Sequence, residues 1–543
     1  MSQIQISLSA CVRRLLGLGG GRVAAAGLAC AATATLLAPS LAALTTDESR
    51  HFLARTGFGG TPGEIAALEP LDREQAVEWV LKGTYDTAPL AVPEWCAMPI
   101  SQYLKERDAQ WKEAYAKPEG KERDAATNAL RDIDNKRGRE LKRWWYQVMI
   151  ATPSPLSERL TLFWHNHFTS SLETVEDPRL MFEQNITLRK HAAGNFGHFA
   201  KAIPYDLAMF RYLDSNSNTR GRPNENFARE VMELFTVGEG NYSEQDIKEA
   251  ARAFTGYKIN NATGKIELNE KRHDSGKKTV LGNTGQFDAD KILETLLVKE
   301  EDVALYIAGK LYREFINEYP ESGAAKKAAD KEIYEIAAKF YKSRYQIKDA
   351  LRRTFMSEQF WDPAVRGNLI KSPAELLVGT VRTLGLPVKN TNALVEMGKK
   401  LGQDLFDPPN VKGWHGGTAW ISTHSMMSRW EVMEEISQGK LGEDKGEAAY
   451  GMAEVGMGMA AGDAAMKGKA DPLVEKSPKA TIAVAVDPDA ATWVAAAKAK
   501  GAEGVAIAAR TLLPLSPTND LGAETDVDTA VRKLLLDPAY NLK

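Results

Sequence analysis

NSNTRGRPNENFAREVMELFTVGEGNYSEQDIKEAARAFTGY, residues 216–257, reads as a helix, a tight glycine turn and a second helix. Phe227, Val231, Leu234 and Phe235 recur at the three-to-four spacing of one buried helical stripe. Asn224, after Pro223, is a natural N-cap, and Glu225 and Asn226 fill the first turn, where an anion is favoured. Gly238 stops this helix, and Ser243 with Asp246 three residues later is a capping start for the next. Capping does not account for Arg229, Glu230 and Glu233 on a neighbouring face. Glu230 and Glu233, three apart, are spaced to grip a cation jointly or to share a proton. The competing reading is an Arg–Glu network that pins the two helices together. An EF-hand does not fit, because the loop Gly238–Tyr242 lacks alternating Asp/Asn ligands and a terminal Glu.

Working outward, the rest of the body carries the same periodicity, so the expected fold is mainly α: a multi-helix globular body with few short strands and long loops. Helices are expected over 47–57, from a Thr61–Pro62 start, as two long charged helices within 101–150 broken near Pro118, and over 288–297, 301–315, 324–342, 347–356 and 372–384. Two more are expected over 490–513 and 526–536. Thr279–Leu281 has the best strand character. Residues 439–475 shift to Gly, Ala and Met without an apolar period and read as a linker or insertion. The expected organisation is therefore a targeting segment (1–43), a helical domain (44–438), this linker (439–475) and a C-terminal helical part of the same domain (476–543).

The targeting segment has Arg13 and Arg14 ahead of an Ala/Gly-rich, mildly apolar run to Leu41, with Ser40 and Ala42 suited to cleavage. Twin-arginine export and ordinary secretion both fit it. The expected location is periplasmic or secreted, in a bacterium, with no transmembrane anchor once the segment is removed. Removal also takes Cys11 and Cys30 and leaves Cys96 alone, so no intramolecular disulfide can form. The net charge of −3 on 543 residues gives no electrostatic argument for nucleic acid.

Chemistry-bearing side chains fall in three further places. In LTLFWHNHF (160–168), His167 shares a helical face with Leu160, Phe163, Trp164 and Phe168, whereas His165 is rotated about 200° away and reads as a helix-surface or supporting group. The two cannot chelate one ion from a regular helix. In KRHDSG (271–276), His273 and Asp274 are adjacent on a loop. DPPNVKGWHGGTAW (407–420) is a rigid aromatic loop in which Trp414 and Trp420 either stack on a sugar ring or cap the core. No phosphate-binding glycine loop, serine nucleophile elbow or HExxH spacing occurs, which argues against nucleotide enzymes and α/β-hydrolases.

FWHNHF, LRKHAAGNFGHF, YLDSNSN, the long 223–256 motif, HDSGKKTVLG and DPPNVKGWHGGTAWIS, in this order, resemble the bacterial family catalogued as domain of unknown function 1800. The resemblance runs from about Asp47 to the C-terminus. It implies an exported protein, often encoded beside a second exported, sulfatase-like protein, which is the implied partner. By resemblance, Asn224, Glu225, Asn226, Arg229, Glu230, Glu233, His165, His167, His273 and Asp274 match the family's motifs. Arg272 stands where many members carry another histidine. Two functions follow as expectations. One is a metal-dependent, hydrolase-like enzyme with a divalent metal on His165, His167 and His273, acid–base or anion-holding roles for Arg229, Glu230, Glu233 and Asp274, and substrate contacts from Asn224, Glu225, Asn226, Trp414 and Trp420. The other is a non-catalytic exported binding or scaffold protein that works with a partner protein or glycan.

Overall fold

The computed structural model describes residues 42–388, 391–439, 488–522 and 525–543. Nearly all of the expected targeting segment (1–43) and of the 439–475 tract lies outside the described residues. Helix dominates, as expected. The described strands are β1 (Tyr257–Asn260) with β2 (Lys265–Leu268), and β3 (Lys278–Val280) with β4 (Asn283–Gly285), two separate antiparallel hairpins. Among the described residues no helix is long and apolar enough to cross a membrane.

Capping chemistry sets many of the helix starts. Thr45, Thr61, Asp72, Ser243, Ser372 and Ser422 each close a reciprocal capping box with the residue three further on. Each cap stabilises its helix by about 1 kcal/mol. The expected Thr61–Pro62 and Ser243–Asp246 starts are among them. The sequence 490–513 forms two helices instead of one, Pro488–Lys498 and Ala502–Leu512. Gly501, at φ +56°, turns the chain between them, and Gly504 packs so closely on the Ala497 carbonyl that a Cβ would lie 2.0 Å from its oxygen. Helical periodicity runs through such a turn unbroken, which is why the residues alone read as one helix.

The core is built around Lys121–Ala151. Its first half is solvated, and its last eleven residues bury Leu141, Trp144, Trp145, Tyr146, Val148, Met149 and Ile150. This helix meets Pro155–His167, Pro178–His191, Pro373–Leu384 and Asn392–Lys400. A second group, Glu300–Phe315, Gly323–Lys342 and Ile347–Phe355, packs together beside it. The C-terminal helices return to this body: Pro488–Lys498 lies on Pro373–Leu384, and Val527–Leu535 lies on Thr423–Ser437. Inside the core, Glu158 and Arg189 form an ion pair with both side chains 0% exposed, at 2.8 and 2.9 Å. The Trp145 indole donates to the same carboxylate at 2.9 Å, and Tyr85 at 3.2 Å.

Candidate functional site

The last turn of Pro155–His167 is the point where three of the sequence motifs meet. The helix stays regular through His167, so His165, Asn166 and His167 leave it in three directions. Asn166 clips the aromatic loop: its Oδ1 accepts from the Trp414 backbone N–H at 2.6 Å and its Nδ2 donates to the Trp414 carbonyl at 3.1 Å. Gly413 permits this approach, since a Cβ there would lie 2.1 Å from Asn166 Oδ1 and φ is +78°.

His167 turns to the 223–256 motif, where Nε2 donates to the Phe235 carbonyl at 3.1 Å. That bond makes Nδ1 the lone-pair nitrogen, and Nδ1 is buried with no donor beside it among the described residues. Burial, with Lys310 adding to it, pushes the imidazole well below its usual range, so it is neutral. His165 is a correction to its reading as a helix-surface group. It is 1% exposed and sits in a cage of Trp145, Phe406 and Trp414, with ring centroids 5.5–5.7 Å away. Burial brings its pKa down to about 4, against the pull of Asp407.

The stripe of the 223–256 motif is confirmed, but its helix is irregular. An α-helical turn, Asn226–Glu230, passes into a π-helical turn, Val231–Phe235. Asn224 acts one step earlier than expected, accepting from Asn226 N at 3.0 Å while its amide ties back to Asp214 and Ser217. The wide turn leaves carbonyls outside the usual ladder, and side chains take them. Thr236 donates to Val231 O, Tyr306 to Leu234 O at 2.9 Å, and His167 to Phe235 O. π-Turns of this kind often occur at functional sites.

Arg229 realises the helix-pinning network. It makes a forked contact with Glu244 at 2.8 and 2.9 Å and reaches Glu225 at 3.2 Å, all near the surface. Glu233 accepts from the Tyr242 hydroxyl at 3.2 Å and lies 3.8 Å from Lys412 of the aromatic loop. Glu230 is half-buried. Burial first, and then the Glu233 carboxylate, push it up to about 7, against Lys412 and Arg229. Asn226 is exposed on the same turn.

His273 and Asp274 belong to different structure. The His273 ring, 7% exposed, bonds the Thr255 carbonyl through Nδ1 at 2.9 Å. Asp274 is gripped by Arg252 at 2.7 and 3.2 Å, and those hydrogen bonds hold its carboxyl down at about 2. The neighbouring strand β3 is fixed to the same helix, with Glu249 accepting from Thr279 N and Asp246 from Leu281 N. Among the described residues no three His, Cys, Asp or Glu side chains come together as a metal-holding group. His165, His167 and His273, expected to share a divalent metal, face an aromatic cage, a π-turn carbonyl and a loop carbonyl respectively.

The aromatic loop does line a cleft. Trp414 and Trp420 border about 590 Å³ of empty space, its open mouth included, together with Arg159, Arg313, Glu314, Glu318, Glu375, Gln403 and Lys543. Trp414 is buried and Trp420 half-buried. On the floor, Arg159 pairs with Glu375 at 2.6 Å and with Glu314, and Lys543 also pairs with Glu375. Burial opposes ionisation of Glu375, yet Arg159 and Lys543 hold its carboxyl below the usual range. None of these charged residues stood out in the sequence. The one signal was Glu158–Arg159 set inside the apolar run PLSERLTLFW, since charges in such a run are buried only when paired.

The described residues thus make a mainly helical protein with a charged, tryptophan-bordered cleft under an asparagine-clipped loop. The chain belongs to the family described as Protein of unknown function (DUF1800), which matches residues 51–542. No curated protein and no solved structure matches the chain.

Proposed function

We propose that this is an exported, non-catalytic binding protein whose cleft takes a hydroxyl-rich, glycan-like ligand. The observation that carries the reading is the placement of Trp414 and Trp420 on one cleft with Arg159, Glu314, Glu318 and Gln403. An indole face stacks on the C–H face of a sugar ring, while fixed polar groups receive its hydroxyls. Most residues expected to do chemistry are occupied structurally: Arg229 pins helices, Asp274 is tied to Arg252, and the histidines are buried. Location outside the cytoplasm and a co-encoded sulfatase-like partner accord with this role and rest on the family resemblance.

Affinity electrophoresis through gels containing neutral or acidic polysaccharides tests the reading. The protein is expected to be retarded by at least one of them, and Trp420→Ala to migrate freely with an unchanged melting temperature. Free migration of the parent protein in every gel refutes it.

A second reading, a metal-independent acid–base enzyme, is favoured by one observation: Glu230, raised to about 7, beside Glu233 on the π-turn. Turnover of a retained glycan that disappears in Glu230→Gln would establish it over simple binding.

A further inference from the structure

The hydrogen-bonding capacity left over in the cleft is unbalanced. Arg159 uses its two terminal nitrogens on Glu314 and Glu375, but its Nε, on a side chain 2% exposed, is buried without an acceptor. Gln403, 3% exposed, spends its Oε1 on the Ala374 N–H at 2.8 Å, and its amide NH2 has no acceptor among the described residues. Arg313 is exposed at the cleft and pairs with no carboxylate among the described residues. The indole N–H groups of Trp414 and Trp420 are likewise without an acceptor there. Against these donors stands one uncommitted carboxylate, Glu318, which lies over Gly417 where a Cβ would come within 2.3 Å of Oε1.

A surplus of unspent donors calls for a ligand rich in acceptors, and a planar guanidinium without a partner fits a carboxylate in forked geometry. We propose that the cleft selects acidic sugars, namely uronic acid units of a glycan, with the sugar carboxylate on Arg313, the ring against Trp420, and ring hydroxyls donating to Glu318. The proposal rests on the glycan reading above and adds the charge of the ligand to it.

Titration calorimetry with trimers of galacturonate, glucuronate and mannuronate, each beside its methyl ester, tests it, because the ester keeps the ring and loses the charge. At least one free acid is expected to bind about tenfold or more tighter than its ester, the size of a charge-assisted hydrogen bond. The preference should shrink as salt is raised. Arg313→Gln should remove the preference for acid over ester with the melting temperature unchanged; Arg313→Lys should restore part of the preference. Equal binding of acid and ester, or a preference that survives Arg313→Gln, overturns the acid selection and leaves glycan binding standing. Binding of neither form overturns both.

Discussion

Glu230 is a carboxyl whose surroundings oppose its charge, and this has a measurable sign. In the folded protein it keeps its proton to about pH 7, because of burial and Glu233, while in the unfolded chain it releases near the usual value of 4.5. Between those values the folded state binds more protons than the unfolded state, so Glu230 makes stability fall as pH rises, with the full cost present above pH 7. Glu230→Gln removes that cost. Relative to the parent, the variant should gain nothing near pH 4.5 and about 1–2 kcal/mol at pH 8, after allowing for partial exposure. Urea titrations at the two pH values check this, and a pH-independent difference rules it out. The sequence already set Glu230 and Glu233 apart as a pair. It could not show which of the two is desolvated, because that depends on Lys412 and Tyr242, which approach Glu233.

The π-turn Val231–Phe235 is an element held from outside. Its carbonyls at Leu234 and Phe235 are claimed by Tyr306 and His167, from two other helices. Tyr306→Phe keeps the ring and removes one donor, leaving the Leu234 carbonyl short of a partner. Stability should drop by about 1 kcal/mol in a denaturant titration. A variant as stable as the parent would mean that this carbonyl is satisfied by something else. The apolar stripe Phe227, Val231, Leu234 and Phe235 was legible because α and π turns share a buried face over so short a run. The widening itself was not legible, since the groups that compensate it lie 68 and 72 residues away in the chain. The same limit applied to β1 and β2, whose four-residue strands are too short for alternation to stand out.

At the scale of the whole molecule, the architecture was readable from periodicity and caps, while the cleft was not. Its charged floor draws Arg159, Glu314, Glu375 and Lys543 from four separated segments, and no local pattern joins them. The histidines misled for the same reason: His165 looked exposed on its own helix, and Trp145, Phe406 and Trp414 from elsewhere in the chain enclose it. Burial on this scale also makes the Glu158–Arg189 pair sensitive. Arg189→Met leaves Glu158 without its ion partner in the core and should cost about 3–5 kcal/mol, whereas adding Glu158→Gln should recover part of the loss. Thermal melts of the single and double variants decide between this and an additive loss.

The return of the last helices to the main body has a consequence for how the chain can be divided. Trp493 donates its indole N–H to the Thr383 carbonyl at 2.6 Å, and Arg429 reaches Asn541 at 3.1 Å, so the parts before 440 and after 487 grip each other through side chains. Covalent continuity between 439 and 488 is then not what keeps them together. Expressed as two separate polypeptides ending and starting at those residues, the halves should find each other and co-purify as one particle. Two pieces that elute apart would show that the tether, and not the contact, holds the molecule closed.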